Sequence, residues 1–306
     1  MSVSGVLIVD KPAGLTSHDV VHRVRRVFGT KKVGHAGTLD PDVTGVLVLC
    51  VGWATRLLEY AAAESKVYEG TVCFGVATDT DDAAGQVMAR ASAVHLTDEL
   101  VKQAAVAFVG PSMQVVPRYS AVHVAGRRAY EYARHGMDVE LPARPIEIHE
   151  LSVLEFRPGE QAFADFRVHC SKGTYIRALC RDWGARLDLP AHMHRLRRVA
   201  SGLFSIDEAV ALDVLEHASE PERFLHPPTT ALRTLASISV SEAQAERLAR
   251  GQGVTVGDAT AVPNGIVAVC CGGQLVCVAN VDATRSGLRM QPKKSFGRGT
   301  MHHERH

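Results

Sequence analysis

No stretch of this 306-residue chain reaches 18 consecutive apolar residues, so a membrane-crossing helix is excluded. The opening "MSVSGVLIVDKPAG" has no basic start and no sustained apolar core, because Asp10 and Lys11 interrupt it. No secretory leader is therefore expected, and the cytoplasm is the expected address. The seven cysteines form no CxxC pair, and several sit in apolar runs such as "VLVLCVG". They read as buried, reduced thiols and not as a disulfide frame or a zinc site. Neither GxxxxGK[ST] nor GxGxxG occurs, so no nucleotide-phosphate loop is readable. "DTDDAAG", Asp79 to Gly85, fails as a calcium loop, because its fifth position is Ala83 and its glycine comes one place late.

A net charge of +1 neither favours nor excludes a polyanion partner. The charges are nevertheless grouped. Arg23, Arg25, Arg26, Lys31 and Lys32 form one basic cluster, Arg195, Arg197 and Arg198 a second, and Lys293, Lys294 and Arg298 a third. Acids gather at 79–82 and 216–222. Three basic clusters lean towards a nucleic-acid surface, against the plainer reading of scattered solvated faces.

"GVLIVD" reads as a buried strand, and Thr16 or Ser17 caps the helix "SHDVVHRVRRVFG", which Gly29 ends. "VLVLCVG" is continuous and β-branched, the pattern of a strand buried on both faces. A helix "WATRLLEYAAAE" is expected after it. "KVYEGTVCFG" and "AFADFRVHC" alternate with period two, the second with Ala164, Phe166, Val168 and Cys170 on one face. "GTYIRALCRDWGARL" reads as a helix, and Ser205 with Glu208 as a capping box ahead of "IDEAVALDVLEHA". Strands and helices mix without regular βαβ alternation. This predicts an α+β fold with a mixed, largely antiparallel sheet and flanking helices. The Pro-rich "LHPPTTALRTL" marks a boundary between a domain at 1–230 and a smaller, mostly β module at 231–295. That module holds a hairpin around Gly272-Gly273, and residues 296–306 read as a frayed tail.

Between helix and strand lies "KKVGHAGTLDPDVTG". Pro41 pushes Asp40 towards extended geometry, and Gly37 and Gly45 permit sharp turns on either side. Such a loop could hold one carboxylate over a pocket. Equally, Thr38 and Asp40 could serve backbone amides in an ordinary turn.

"DKPAGLTSHDVV", "KKVGHAGTLDPDVTGVLVLCVGWATRL", "SKVYEGTVCFGVATDTDDAAG", "PRYSAVHVAGRRAYEYARHG" and "CSKGTYIRALCRDWG", in this order, resemble the TruB family. These pseudouridine synthases modify uridine 55 in the TΨC arm of tRNA. The resemblance covers about the first 200 residues; the last 60 or so resemble the family's PUA-like RNA-binding module only loosely. It implies the pseudouridine synthase fold, tRNA as partner, no metal and no cofactor. A monomer without an obligate protein partner is also expected.

By this resemblance Asp40 is the catalytic aspartate, Tyr68 lies against the target base, and Arg177 pairs with the aspartate. It also implies substrate-binding positions at His35, Lys11, Pro12, Tyr175 and Leu196. Lys11 and Pro12 support the active-site loop, and Leu196 lines the uracil pocket. The chain departs from the pattern at Val122-His123, where Leu-Lys is frequent. The reaction breaks the bond from ribose to uracil N1, turns the base and rejoins it through C5. A charged carboxylate suits it, and Arg177 could sustain that charge through two parallel hydrogen bonds. Two other classes stay open: a metal-dependent hydrolase using Asp40, Asp42 and the acids at 79–82, and a non-catalytic RNA-binding protein.

Overall fold

The computed structural model describes residues 3–62, 64–256, 265–284 and 287–296. The chain begins with the strand Gly5–Lys11. The helix Ser17–Val27 starts after Thr16, whose hydroxyl accepts from the Asp19 amide while the Asp19 carboxylate accepts from the Thr16 amide. This reciprocal cap satisfies two amide donors that the helix cannot serve itself. Val20, Val21 and Val24 face inward, and Gly29, at φ +60°, turns the chain back. A short strand, Val33–His35, then leads through the glycine-rich loop into the strand Thr44–Val51.

The main sheet runs in the order Val210–Ala211, Gly5–Lys11, Thr44–Val51, Ala191–Ser201, Ser65–Phe74, Ala162–Ser171, Ala143–Arg157, Gly110–Val115. Two of these contacts are parallel, Gly5–Lys11 with Val210–Ala211 and Ala191–Ser201 with Thr44–Val51; the others are antiparallel. The sheet is thus mixed and largely antiparallel, as the sequence predicts. The helix Ile176–Arg186 covers the face carrying Ala164, Phe166, Val168 and Cys170. Trp183 is wholly buried there, edge-on to Phe74 and Phe166 at 5.8 and 5.9 Å, and its indole N–H donates to Val101 O. A buried indole needs such a partner.

The strands Gly5–Lys11 and Thr44–Val51 feed two separate cores. Leu7, Val9, Leu47, Leu49 and Val51 point to the helical side. Val6, Ile8, Val46, Val48 and Cys50 point the other way, against Ala268, Leu275 and Val278 of a second sheet. This sheet has five strands in the order Ser237–Ser239, Gly265–Cys271, Gln274–Thr284, Gly287–Ser295, Val254–Val256, with the helix Glu242–Ala249. The hairpin turns at Gly272 and Gly273, both at positive φ.

Three expectations are corrected. "WATRLLEYAAAE" is not one helix: a 3₁₀ segment, Gly52–Leu57, precedes a single turn, Leu58–Ala61. Three-residue spacing sends Ala54 and Leu57 together into the second core. "IDEAVALDVLEHA" divides into a 3₁₀ turn, Ile206–Glu208, the edge strand Val210–Ala211 and a short helix, Leu212–Glu216. Pairing with Gly5–Lys11 claims the middle of that segment for the sheet. Phe296, assigned to the tail, is buried against Trp53 at 5.3 Å; residues 297–306 lie outside the described residues. None of the seven cysteines forms a disulfide; five are buried, and Cys270 and Cys271 are half-buried.

Candidate active site

The loop from Ala36 to Val43 is held from three directions. Asp40, Pro41, Asp42 and Val43 make a β-turn closed by Val43 N–H donating to Asp40 O at 3.1 Å, with proline at its second position. From below, the Lys11 ammonium donates to Pro12 O, Leu15 O and Pro41 O at 2.9, 2.6 and 2.7 Å, and Gly14 N–H also donates to Pro41 O. From the first helix, Ser17 brackets Leu39, donating to its carbonyl and accepting from its amide. From the sheet, Arg198 donates to Gly37 O, Thr38 O and Val46 O. Lys11 and Arg198 are fully buried. A buried cation survives only when such partners replace water. Burial pushes the Lys11 ammonium down to about 8, opposed by the charges of Asp42 and Asp40.

Asp40 is thereby presented beside the start of the helix Ile176–Arg186. Arg177 Nε lies 3.0 Å from Asp40 Oδ2 and 3.9 Å from Asp82 Oδ2, while Nη1 donates to Thr80 O and Nη2 to Tyr119 O. The arginine side chain is 7% exposed and the Asp40 side chain 46%. The helix start is itself fixed, because the Gln114 amide accepts from Tyr175 N–H and donates to Tyr175 O.

Asp40 opens onto a cavity of about 390 Å³, walled by Tyr68, Leu196, Met193, Tyr175, Ile176, Arg177 and the segment 119–121. Tyr68 and Leu196 are nearly buried. They sit on neighbouring strands, where Gly70 opposite Leu196 leaves room that a side chain would fill. Burial pushes the Tyr68 phenol up, and the nearby Arg198 charge pulls the other way.

Residues 25–176 match the TruB family pseudouridylate synthase (N terminal domain), and residues 177–234 match the tRNA pseudouridylate synthase B C-terminal domain. The chain is 49% identical over 249 residues to tRNA pseudouridine synthase B of Symbiobacterium thermophilum, covering 81% of this chain and 82% of that one. It is 52% identical over 216 residues to the Thermobifida fusca protein of the same name, covering 69% and 74%. This chain belongs to the TruB family of pseudouridylate synthases. A chain of the archaeal box H/ACA sRNP Nop10-Cbf5 complex aligns with 97% of it, over 88% of that chain, at a TM-score of 0.72 and 24% identity. The two share a fold.

In this TruB-family chain, Asp40, Tyr68, Arg177, Tyr175 and Leu196 all line one cavity. Lys11, Pro12 and His35 are not among its lining residues. Lys11 lies beneath the loop, with Pro12 giving it a carbonyl. His35 is half-buried at the end of its short strand; burial lowers its imidazole below the usual range, and its Nδ1 has no partner. At the point of departure from the family pattern, Val122 is buried and His123 exposed.

Of the acids at 79–82, two are engaged within their own turn and one with the helix Ile176–Arg186. Asp79 accepts from Gln86 N–H, Asp82 from Thr80 and Ala84, and Asp81 pairs with Arg181 at 3.0 Å. Among the described residues, no three His, Cys, Asp or Glu side chains gather to hold a metal ion. The second basic cluster is also divided: Arg198 goes inward, while Arg195 pairs with Asp165 and Arg197 with Asp10. Sequence reasoning missed Arg198, Gln114 and Lys66. For Arg198 a signal existed, since it lies two residues beyond the buried Leu196 on one strand. For Gln114 there was none.

Proposed function

We propose that this protein converts uridine to pseudouridine at position 55 in the TΨC loop of tRNA, with Asp40 as the catalytic group. The observation that carries the reading is a half-exposed carboxylate, anchored through Arg177, at the mouth of a cavity floored by Tyr68 and Leu196. The name shared by the curated relatives, tRNA pseudouridine synthase B, supports tRNA as the substrate.

In this reading a uridine leaves its stack, at a cost of a few kcal/mol, and enters the cavity. Tyr68 stacks on the uracil, worth roughly 1–3 kcal/mol. Leu196 and Tyr175 enclose the base, and Arg177 keeps the aspartate aimed. Lys11 and Pro12 act through the loop. His35, half-buried at the start of the loop, meets the opened RNA. The end of the first helix and the turn beyond it, with Arg26 and Lys31 exposed, hold phosphates, and the C-terminal sheet serves as a PUA-like RNA module. The protein acts as a monomer without a protein partner.

The test uses tRNA tritiated at uracil C5. Wild-type protein releases the label, while Asp40→Asn binds the tRNA and releases none. Release unaffected by the substitution would overturn the assignment.

A further inference from the structure

The edge strand Gly110–Val115 inverts the usual pattern of burial. Its apolar Met113 and Val115 are exposed, while the polar Gln114 is the one buried residue of the six. An apolar residue would fill that place without a polar cost, whereas an amide taken out of water needs hydrogen-bond partners. Gln114 finds both on a single residue. Tyr175 N–H donates to its Oε1 at 2.9 Å, and its Nε2 donates to Tyr175 O at 3.1 Å.

Tyr175 is the last extended residue before the helix Ile176–Arg186, and no side chain caps that helix start. Its carbonyl also accepts from Leu179 N–H, the first bond of the helix. Ahead of it the chain turns at the exposed Gly173, φ +83°. The bracket from Gln114 therefore holds the residue at which an exposed turn becomes helix. Two further bonds join the same stretches of chain: Arg181 donates to Val115 O at 3.1 Å and Arg177 to Tyr119 O at 3.0 Å. Tyr175 and Arg177 both wall the cavity that holds Asp40, and Gln114 does not.

We propose that Gln114 is a positioning residue for the reaction proposed above. Through the backbone of Tyr175 it sets where that residue closes the cavity and where Arg177 meets Asp40. The inference rests on that functional reading. Gln114 touches neither the base nor the carboxylate, so its loss misplaces the reacting groups without removing one. An error on the scale of 1 Å costs about 100-fold in rate. Affinity for tRNA, set chiefly by phosphate contacts, changes little.

The experiment measures single-turnover rates at saturating protein on a tRNA transcript, with affinity measured separately. Gln114→Met keeps the volume and removes both bonds; it is expected to lower the saturating rate about 100-fold at near wild-type affinity. Gln114→Glu gives a readout that a merely structural role would not move. As a neutral acid its carboxyl accepts from Tyr175 N–H and donates to Tyr175 O, as the amide does; once ionised it can only accept. Burial favours the neutral form and the nearby Arg177 and Arg181 guanidinium groups the charged one. In either balance the neutral fraction grows as pH falls. The rate of Gln114→Glu, divided by the wild-type rate at the same pH, is therefore expected to rise towards acid. A flat ratio overturns the inference. So does a wild-type saturating rate in Gln114→Met, or a loss confined to affinity. If Gln114→Met fails to fold by circular dichroism, Gln114→Asn, one methylene too short to reach Tyr175, is read against the same outcomes. Asp40→Asn runs in parallel. If it stays active, the functional reading falls; if it is inactive while Gln114→Met turns over normally, only the role of Gln114 falls.

Discussion

Arg177 meets Asp40 with one nitrogen, Nε at 3.0 Å, and spends the other two on Thr80 O and Tyr119 O. The two-pronged pairing expected from the residue types does not form. The guanidinium instead ties three chain segments together and leaves the second carboxylate oxygen out of its grip. A lysine ammonium cannot span three acceptors in a plane. Arg177→Lys is expected to lose most activity, at least about 100-fold in the saturating rate, by a 1 Å-scale misplacement of the carboxylate. Near-normal turnover in Arg177→Lys would contradict this reading.

Arg198 is the corresponding anchor for the loop backbone. Its removal leaves the Gly37, Thr38 and Val46 carbonyls without their donor, each at about 1–3 kcal/mol when buried. Arg198→Met is expected to cost about 3 kcal/mol or more in urea unfolding and to depress activity further than that stability loss explains.

Lys11 gives stability an unusual alkaline dependence. Its native value, about 8, lies below the ordinary 10.5, so the native state binds fewer protons between those values. Stability therefore rises with pH across that window. The difference between wild type and Lys11→Met is expected to grow by about 3 kcal/mol in favour of wild type from the lower value to the upper. A flat difference in pH-dependent urea midpoints refutes it.

Asp165 acts at the acidic end, on the sheet face away from the helix. Two hydrogen bonds from Arg157 lead in lowering its carboxyl to about 2, helped by Thr71 and Arg195. Its contribution is complete above the ordinary 3.8 and is lost as pH falls through the native value. The acid-dependent part of the stability should shrink by about 2 kcal/mol in Asp165→Asn, read from acid unfolding curves.

Periodicity made the sheet legible: "AFADFRVHC" and "VLVLCVG" needed only alternation and its absence to declare one or two buried faces. The broken helices after Gly52 and Ser205 were illegible, because their shape is dictated by distant partners, the second core and the first strand. Asp40 in its glycine loop could be singled out as a positioned carboxylate, while its assignment as catalytic came from the family resemblance. The braces were legible only in part. The family resemblance put Lys11 beneath the loop, and Arg198 shares a strand face with Leu196, but only folding shows that each is caged by carbonyls. Gln114 contacts a backbone, which leaves no trace in residue type.

The strands Gly5–Lys11 and Thr44–Val51 carry apolar side chains on both faces, and the second face is covered by the C-terminal sheet. A protein ending near residue 235 would therefore display Val6, Ile8, Val46 and Val48 as a bare adhesive plate. Such a fragment is destined for inclusion bodies or proteolysis before any deficit in RNA handling could be observed. The C-terminal sheet is in that sense a cork as well as a module, and deletion experiments aimed at one role will always report on the other.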